Sequence, residues 1–178
     1  MKKMYLSSFV IAIAFTLCSI NSKAQQTATS GPVALTISIE DAISITLGGT
    51  PAVLFEYNSA ASFNSSPNVP KVNHFTVVSN RAYTLGVNAD APFTPATGTS
   101  VVPLSTVQIS VTAARPAVTG TTTVALDQTL AQLVATAPAS TGTEFDINYN
   151  IPTSASQALI TAAATDYTTN VLYTVTQL

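Results

Sequence analysis

From Glu144 to Ile151 the chain alternates without interruption. Phe145, Ile147, Tyr149 and Ile151 are apolar, and Glu144, Asp146, Asn148 and Asn150 between them are polar. Strand side chains change face with a period of two, so this run predicts a β-strand with one dry face and one wet face. A second run, Tyr167 to Leu178, is rich in β-branched and aromatic residues and contains neither Gly nor Pro. It places Tyr167, Thr169, Val171, Tyr173 and Val175 on one face. Together the two runs predict the middle of an antiparallel sheet with one solvated side. Phe145, Ile147, Tyr149, Val171, Tyr173 and Val175 are the expected core, with the Glu144 and Asp146 side chains in solvent.

The rest of the chain repeats the pattern. Val33, Leu35, Ile37 and Ile39 alternate with small polar residues, and Ile43, Ile45 and Leu47 resume after Glu40-Asp41, which reads as a bulge or a bend in one long strand. Gly48-Gly49-Thr50-Pro51 is a turn, and Val53, Phe55 and Tyr57 form the next strand. Lys71 to Ala89 reads as a hairpin turning at Asn80-Arg81. Val107, Ile109 and Val111 make a further strand, and Thr121 to Ala125 is strand-like. Leu126 to Ala135 suits a short helix or a strand equally, Ala137 to Thr143 reads as a loop, and the Ala-rich stretch Ser154 to Thr165 as one helical turn or a loop. No long amphipathic helix alternates with these strands, which removes an α/β architecture. The expectation is an all-β fold: a single immunoglobulin-like antiparallel β-sandwich of about eight to ten strands.

The chain opens on Lys2 and Lys3, continues into the apolar run Phe9 to Leu17, and reaches small residues at Ser22 and Ala24. This is the layout of a secretory signal peptide, residues 1–24, cleaved before Gln25. Its apolar run is shorter than the ~20 residues a membrane-spanning helix needs. A lipoprotein anchor on Cys18 would need a small residue before it, where Leu17 stands. Residues 25–32 then read as a flexible leader, and 33–178 as the β domain. Cys18 is the only cysteine. An exported mature chain would therefore hold no disulfide and no thiol nucleophile, and would rely on burial and strand pairing.

Charged residues make up only 8% of the chain. After the leader, Lys71, Arg81 and Arg115 stand against all the acidic residues, a negative balance with no basic stripe for a nucleic acid and no basic amphipathic helix for a membrane surface. His74 is the only histidine, so a catalytic triad or a multi-histidine zinc site has no support. Glu144, Asp146, Asn148 and Asn150 line one strand face with oxygen ligands of the kind calcium takes, or form its solvent face. Glu144 and Asp146 share that face without any sign of a cleft, so no pair of carboxylates suggests glycoside hydrolysis. Tyr57, Phe63, Tyr83 and Phe93 fall in or near loops, where aromatic rings can stack on sugars. Tyr57 and Tyr83 fit a core or sheet-edge position as well, and the chain has no Trp to offer a larger ring.

Phe75-Thr76-Val77-Val78-Ser79-Asn80-Arg81-Ala82-Tyr83-Thr84-Leu85-Gly86-Val87 and the ending Asp166 to Thr176 resemble secreted bacterial immunoglobulin-like domains of the spore-coat-protein-U and WxL-type surface families. There a mid-domain hairpin and a closing Tyr-x-x-x-Val-x-Tyr-Thr strand recur. The resemblance covers about a quarter of the mature chain; the tryptophan of the WxL signature and the usual cysteine pair are absent. It implies the fold and a surface location, and it supplies no catalytic residue. The expected function is that of a non-catalytic, exported structural or adhesive protein of the bacterial cell surface or extracellular matrix. The alternative is a glycan- or cell-wall-binding module with Tyr57, Phe63 and Phe93 facing the ligand. No cofactor is expected. Sequential strands usually pair locally, so Val33–Ile39 is expected to pair within its own domain; the partners the sequence suggests are a second copy, joined by exchange of that strand, or a surface polysaccharide.

Overall fold

The computed structural model describes residues 27–178. The predicted signal peptide and Cys18 lie outside the described residues. Residues 27–38 carry neither helix nor strand and are exposed. Residues 39–178 form one compact unit.

That unit is all-β and antiparallel. Its strands are β1 (Ile43–Leu47), β2 (Asn68–Ser79), β3 (Tyr83–Ala89), β4 (Thr94–Pro95), β5 (Gln108–Arg115), β6 (Thr119–Thr121), β7 (Thr123–Ala125), β8 (Ala131–Ala137), β9 (Ser140–Asn150), β10 (Tyr167–Thr168) and β11 (Val171–Gln177). One short helix, α1 (Thr153–Ala158), follows β9. The first large sheet runs β1-β2-β9-β5-β7 and the second β11-β3-β8-β6, while β4 and β10 pair apart from both. The two large sheets share one core. Phe75, Val77, Ile109, Phe145 and Ile147 from the first meet Tyr83, Leu85, Val87, Leu133 and Val134 from the second, all buried almost completely. Along β9 the buried residues alternate with less buried ones, as period-two patterning produces, whereas in β8 Leu133 and Val134 are consecutive and both buried.

Several expectations change. β9 is the centre of the first sheet, but β11 is the edge of the second, so the two most regular runs are not neighbours. Alternation shows that a strand has a dry face; it does not say which sheet holds it. The hairpin over 71–89 does not form: β2 pairs with β1 and β9, and β3 with β11 and β8. Asn80 to Ala82 lacks the glycine of a tight hairpin turn and instead carries the chain from one sheet to the other. The Asn80 side chain fixes that corner by accepting from the Ala42 amide at 2.9 Å and donating to the Glu40 carbonyl at 2.7 Å.

The long strand from Val33 also does not form, because its pairing begins only at Ile43. Val53 to Tyr57 makes no strand either. Val53, Phe55 and Tyr57 still turn half-buried against the core while Leu54 and Glu56 face solvent, so the alternation is met without a ladder. The stretch 140–143, expected as loop, is the start of β9: its polar composition hides a strand that pairing with Val77 and Ser79 creates. The ambiguous 126–135 stretch is strand β8 from Ala131 onward and neither helix nor strand over 126–130, and the Ala-rich stretch holds α1 with a further 3-10 turn at Leu159–Thr161.

Candidate functional site

Three places in the fold bring chemistry-bearing residues together. The first begins at a bulge. The β2 register shifts between Lys71 and Phe75, and Asn73 there takes a left-handed φ of 48°. The bulge breaks the period of two, so His74 and Phe75 both turn inward and both are buried. Gly48 permits it: its amide donates to the His74 carbonyl at 2.8 Å, and a Cβ there would lie 2.5 Å from the Asn73 carbonyl oxygen. His74 Nε2 bonds the Tyr149 hydroxyl at 2.9 Å, and that hydroxyl bonds the Tyr173 hydroxyl at 2.6 Å. The Tyr149 and Tyr173 rings meet the imidazole edge-on, and Phe75 lies 4.6 Å from Tyr173. This chain of three groups links β2 and β9 to β11 across the core. Burial lowers the His74 pKa, with Lys71 adding to the effect. Burial raises the Tyr149 hydroxyl to about 12 and lifts that of Tyr173 above its ordinary value, so all three groups are neutral at neutral pH. His74 is the polar strand residue that the pattern suggests, and the bulge at Asn73 turns it into the core.

The second place is the polar face of β9. Asp146 accepts from Arg115 Nη2 at 2.7 Å and from the Asn73 amide at 2.8 Å, and Arg115 also reaches Asn73 Oδ1 at 2.9 Å and Glu144 at 3.8 Å. These bonds hold the Asp146 carboxyl below its usual pKa, led by the Arg115 hydrogen bond. Asp146 is therefore not the open solvent-facing side chain expected: only 15% of it is exposed. Asn148 donates to Asn68 Oδ1 at 3.0 Å, and Asn150 to Ser66 Oγ at 2.9 Å. The four polar residues are thus each tied sideways to a neighbouring strand or loop and do not converge on a point. Among the described residues no three His, Cys, Asp or Glu side chains gather as metal ligands.

Of the candidate ligand-facing aromatics, the structure brings together Tyr57 and Phe63 but does not bring Phe93 to them. Tyr57 and Phe63 pack at 5.1 Å, with the Tyr57 hydroxyl 2.7 Å from Ser156 Oγ of α1. Phe93 is half-buried against the core, and Tyr83 is wholly inside it.

The third place is the seam between the two sheets, and the two sides of the molecule differ there. On one side the chain itself switches sheets: β6 pairs in the second sheet and β7 in the first, with only Thr122 between them, and Leu126 and Leu133 beside this crossing are buried. On the other side β1 and β11 adjoin as two separate edges, joined by the Gln177 amide donating to the Ala42 carbonyl at 3.1 Å. Ile43, Ile45 and Leu47 stand opposite Ser79, Val77 and Phe75, so they belong to the inner face. Yet Ile43 is 38% and Leu47 56% exposed, while their partners are sealed. Across the seam Val171, Tyr173 and Val175 stand opposite Ala89, Val87 and Leu85, and they too are only half-buried beside fully buried partners. The inner rows of both edges are left partly uncovered.

Edge strands ordinarily carry charge, proline or short length to discourage pairing. β6 and β7 have three residues each. β11 has seven, Val-Leu-Tyr-Thr-Val-Thr-Gln, with none of those devices. The alternation marks Val171, Tyr173 and Val175 as core; it cannot place them on an edge, because edge position depends on which strand pairs with which. Compared with known proteins, the chain matches no family model and no curated protein.

Proposed function

We propose that this chain is a non-catalytic, exported structural or adhesive protein of the bacterial cell surface or extracellular matrix, built to assemble with other subunits. The observation that carries the reading is the seam at β1 and β11. A seven-residue uncharged edge beside a partly uncovered apolar row is a pairing surface, and a domain that worked alone would be expected to blunt it. The signal-peptide pattern and the low charge support export and a surface setting. The three-residue tyrosine–histidine chain fits a structural role, since its groups are neutral and spent on joining the sheets.

The test is fractionation of producing cells and their medium, with chemical cross-linking of each fraction before denaturing electrophoresis. The reading expects the protein in the surface or extracellular fraction, as species larger than one chain. Recovery as a cytoplasmic monomer would refute it. Saturable binding on a polysaccharide array, lost in Tyr57→Ala or Phe93→Ala, would replace it with a glycan-binding module.

A further inference from the structure

The open edge has a definite hydrogen-bonding pattern. The Leu178 amide donates to the Ala82 carbonyl and the Asp90 amide to the Asn170 carbonyl, which sets the even-numbered residues of β11 facing β3. Antiparallel strands alternate the direction of their backbone groups. Val171, Tyr173, Val175 and Gln177 therefore turn their amides and carbonyls to the free edge, and the first three turn their side chains into the half-covered row. A strand added there would find both a ladder and an apolar groove.

The chain carries one segment of matching form. Val33, Leu35, Ile37 and Ile39 are 87%, 87%, 78% and 81% exposed, and residues 33–39 have no helix or strand pairing. Four large apolar side chains at alternate positions in water are costly unless something covers them. The segment has seven residues and no charge, and β11 likewise has seven and no charge. At the strand rise both are ~23 Å long.

We propose that Val33–Ile39 of one copy adds as an extra strand to the β11 edge of a second copy, setting Val33, Leu35, Ile37 and Ile39 over the seam. The proposal rests on the assembly reading above and names its partner and both of its surfaces. A second copy is the occupant because in its own chain the segment covers nothing, its four large side chains being 78–87% exposed, and the link through Glu40, Asp41 and Ala42 is fixed. Those residues are already pinned to the sheet-to-sheet corner, where Asn80 holds Glu40 and Ala42 and Arg81 pairs with Asp41. Each copy offers one donor strand and one acceptor edge, two different segments of the chain, so the contact is head-to-tail and extends into a linear polymer unless it closes as a ring.

The experiment compares the full chain with its Leu35→Asp/Ile37→Asp variant by light scattering after gel filtration, by cross-linking over a range of concentrations, and by urea unfolding. The substituted positions are exposed, so the variant keeps the fold. The expected result is a concentration-dependent ladder for the unaltered chain, its loss in the variant, and an unchanged unfolding transition of the variant monomer. A ladder that persists in the variant overturns the donor assignment and leaves the assembly reading standing. An unaltered chain that stays monomeric at every concentration overturns both, and if the variant also unfolds more easily, the segment closes its own edge instead.

Discussion

Removing one hydroxyl from the middle of the His74–Tyr149–Tyr173 chain should cost more than removing one from its end. Tyr149→Phe breaks two bonds, the 2.9 Å contact to His74 and the 2.6 Å contact to Tyr173. It leaves the buried imidazole nitrogen without its partner. Tyr173→Phe breaks one bond and leaves Tyr149 bonded to His74. A hydrogen bond contributes about 0.5–1.5 kcal/mol net, and a buried polar group left unpaired costs about 1–3 kcal/mol. Tyr173→Phe should therefore destabilise by ~1 kcal/mol and Tyr149→Phe by ~2–4 kcal/mol. The double variant should fall short of the sum, because the bond between the two hydroxyls is counted once in each single variant. Urea unfolding of the four proteins at neutral pH measures all of this, provided the dependence on denaturant stays constant. A Tyr173→Phe cost equal to or above that of Tyr149→Phe would refute the arrangement, as would strict additivity.

Three further outcomes follow from the same geometry. Ile147→Ala empties a fully buried position in the central strand between Lys71 and Val111, and should cost ~2–5 kcal/mol in urea unfolding; a cost near zero would mean β9 is not central. Gly48→Ala drives a Cβ against the Asn73 carbonyl backbone and should destabilise measurably, whereas Gly86→Ala, which meets chiefly the Leu130 side chain, should be milder. The His74 pKa is lowered from 6.5, so below pH 6.5 the unfolded chain takes up a proton that the folded chain refuses. Stability is then full above pH 6.5 and is lost as pH falls toward the lowered value, by at most about 1.4 kcal/mol per pH unit for one proton. His74→Gln should flatten that part of the profile, and an unchanged slope would count against a buried neutral imidazole. Asp146, held below 3.8, contributes its own loss only at more acid pH.

What the sequence made legible was the local pattern. Phe145, Ile147 and Tyr149 are buried as alternation requires, and all-β architecture follows from many such runs. What it left hidden depends on distant partners. The inward turn of His74 rests on a bulge that Gly48 and Asp146 accommodate from elsewhere in the chain. The passage from β2 to β3 looks like a hairpin by length, and only the capping of Asn80 by residues 40 and 42 shows it to be a corner. Val33–Ile39 reads as a strand because a pattern records readiness to pair, and readiness does not supply a neighbour. The β1 and β11 seam is invisible for the same reason: nothing in Val171-Leu172-Tyr173 distinguishes an edge from a centre.

If strand addition joins the copies, the phase of the donor matters and its composition does not. The substitution set Leu35→Thr, Thr36→Leu, Ile37→Ser and Ser38→Ile keeps every residue type and the zero charge of the segment. It moves two of the four large apolar residues to the other face, since a strand alternates faces at each residue. Either phase then offers only two: Val33 and Ile39 on one side, or positions 36 and 38 on the other. Burying a large aliphatic side chain contributes about 1.5–3 kcal/mol, so losing two removes ~3–6 kcal/mol from the contact. At 1.4 kcal/mol per tenfold, association should weaken by more than about 100-fold. Sedimentation over a concentration series measures the shift. Nonspecific adhesion of exposed apolar residues predicts no change at all, because the residues and their exposure are the same. A phase-shifted chain that assembles as well as the unaltered one would therefore rule out a paired strand and leave only stickiness to account for the multimers.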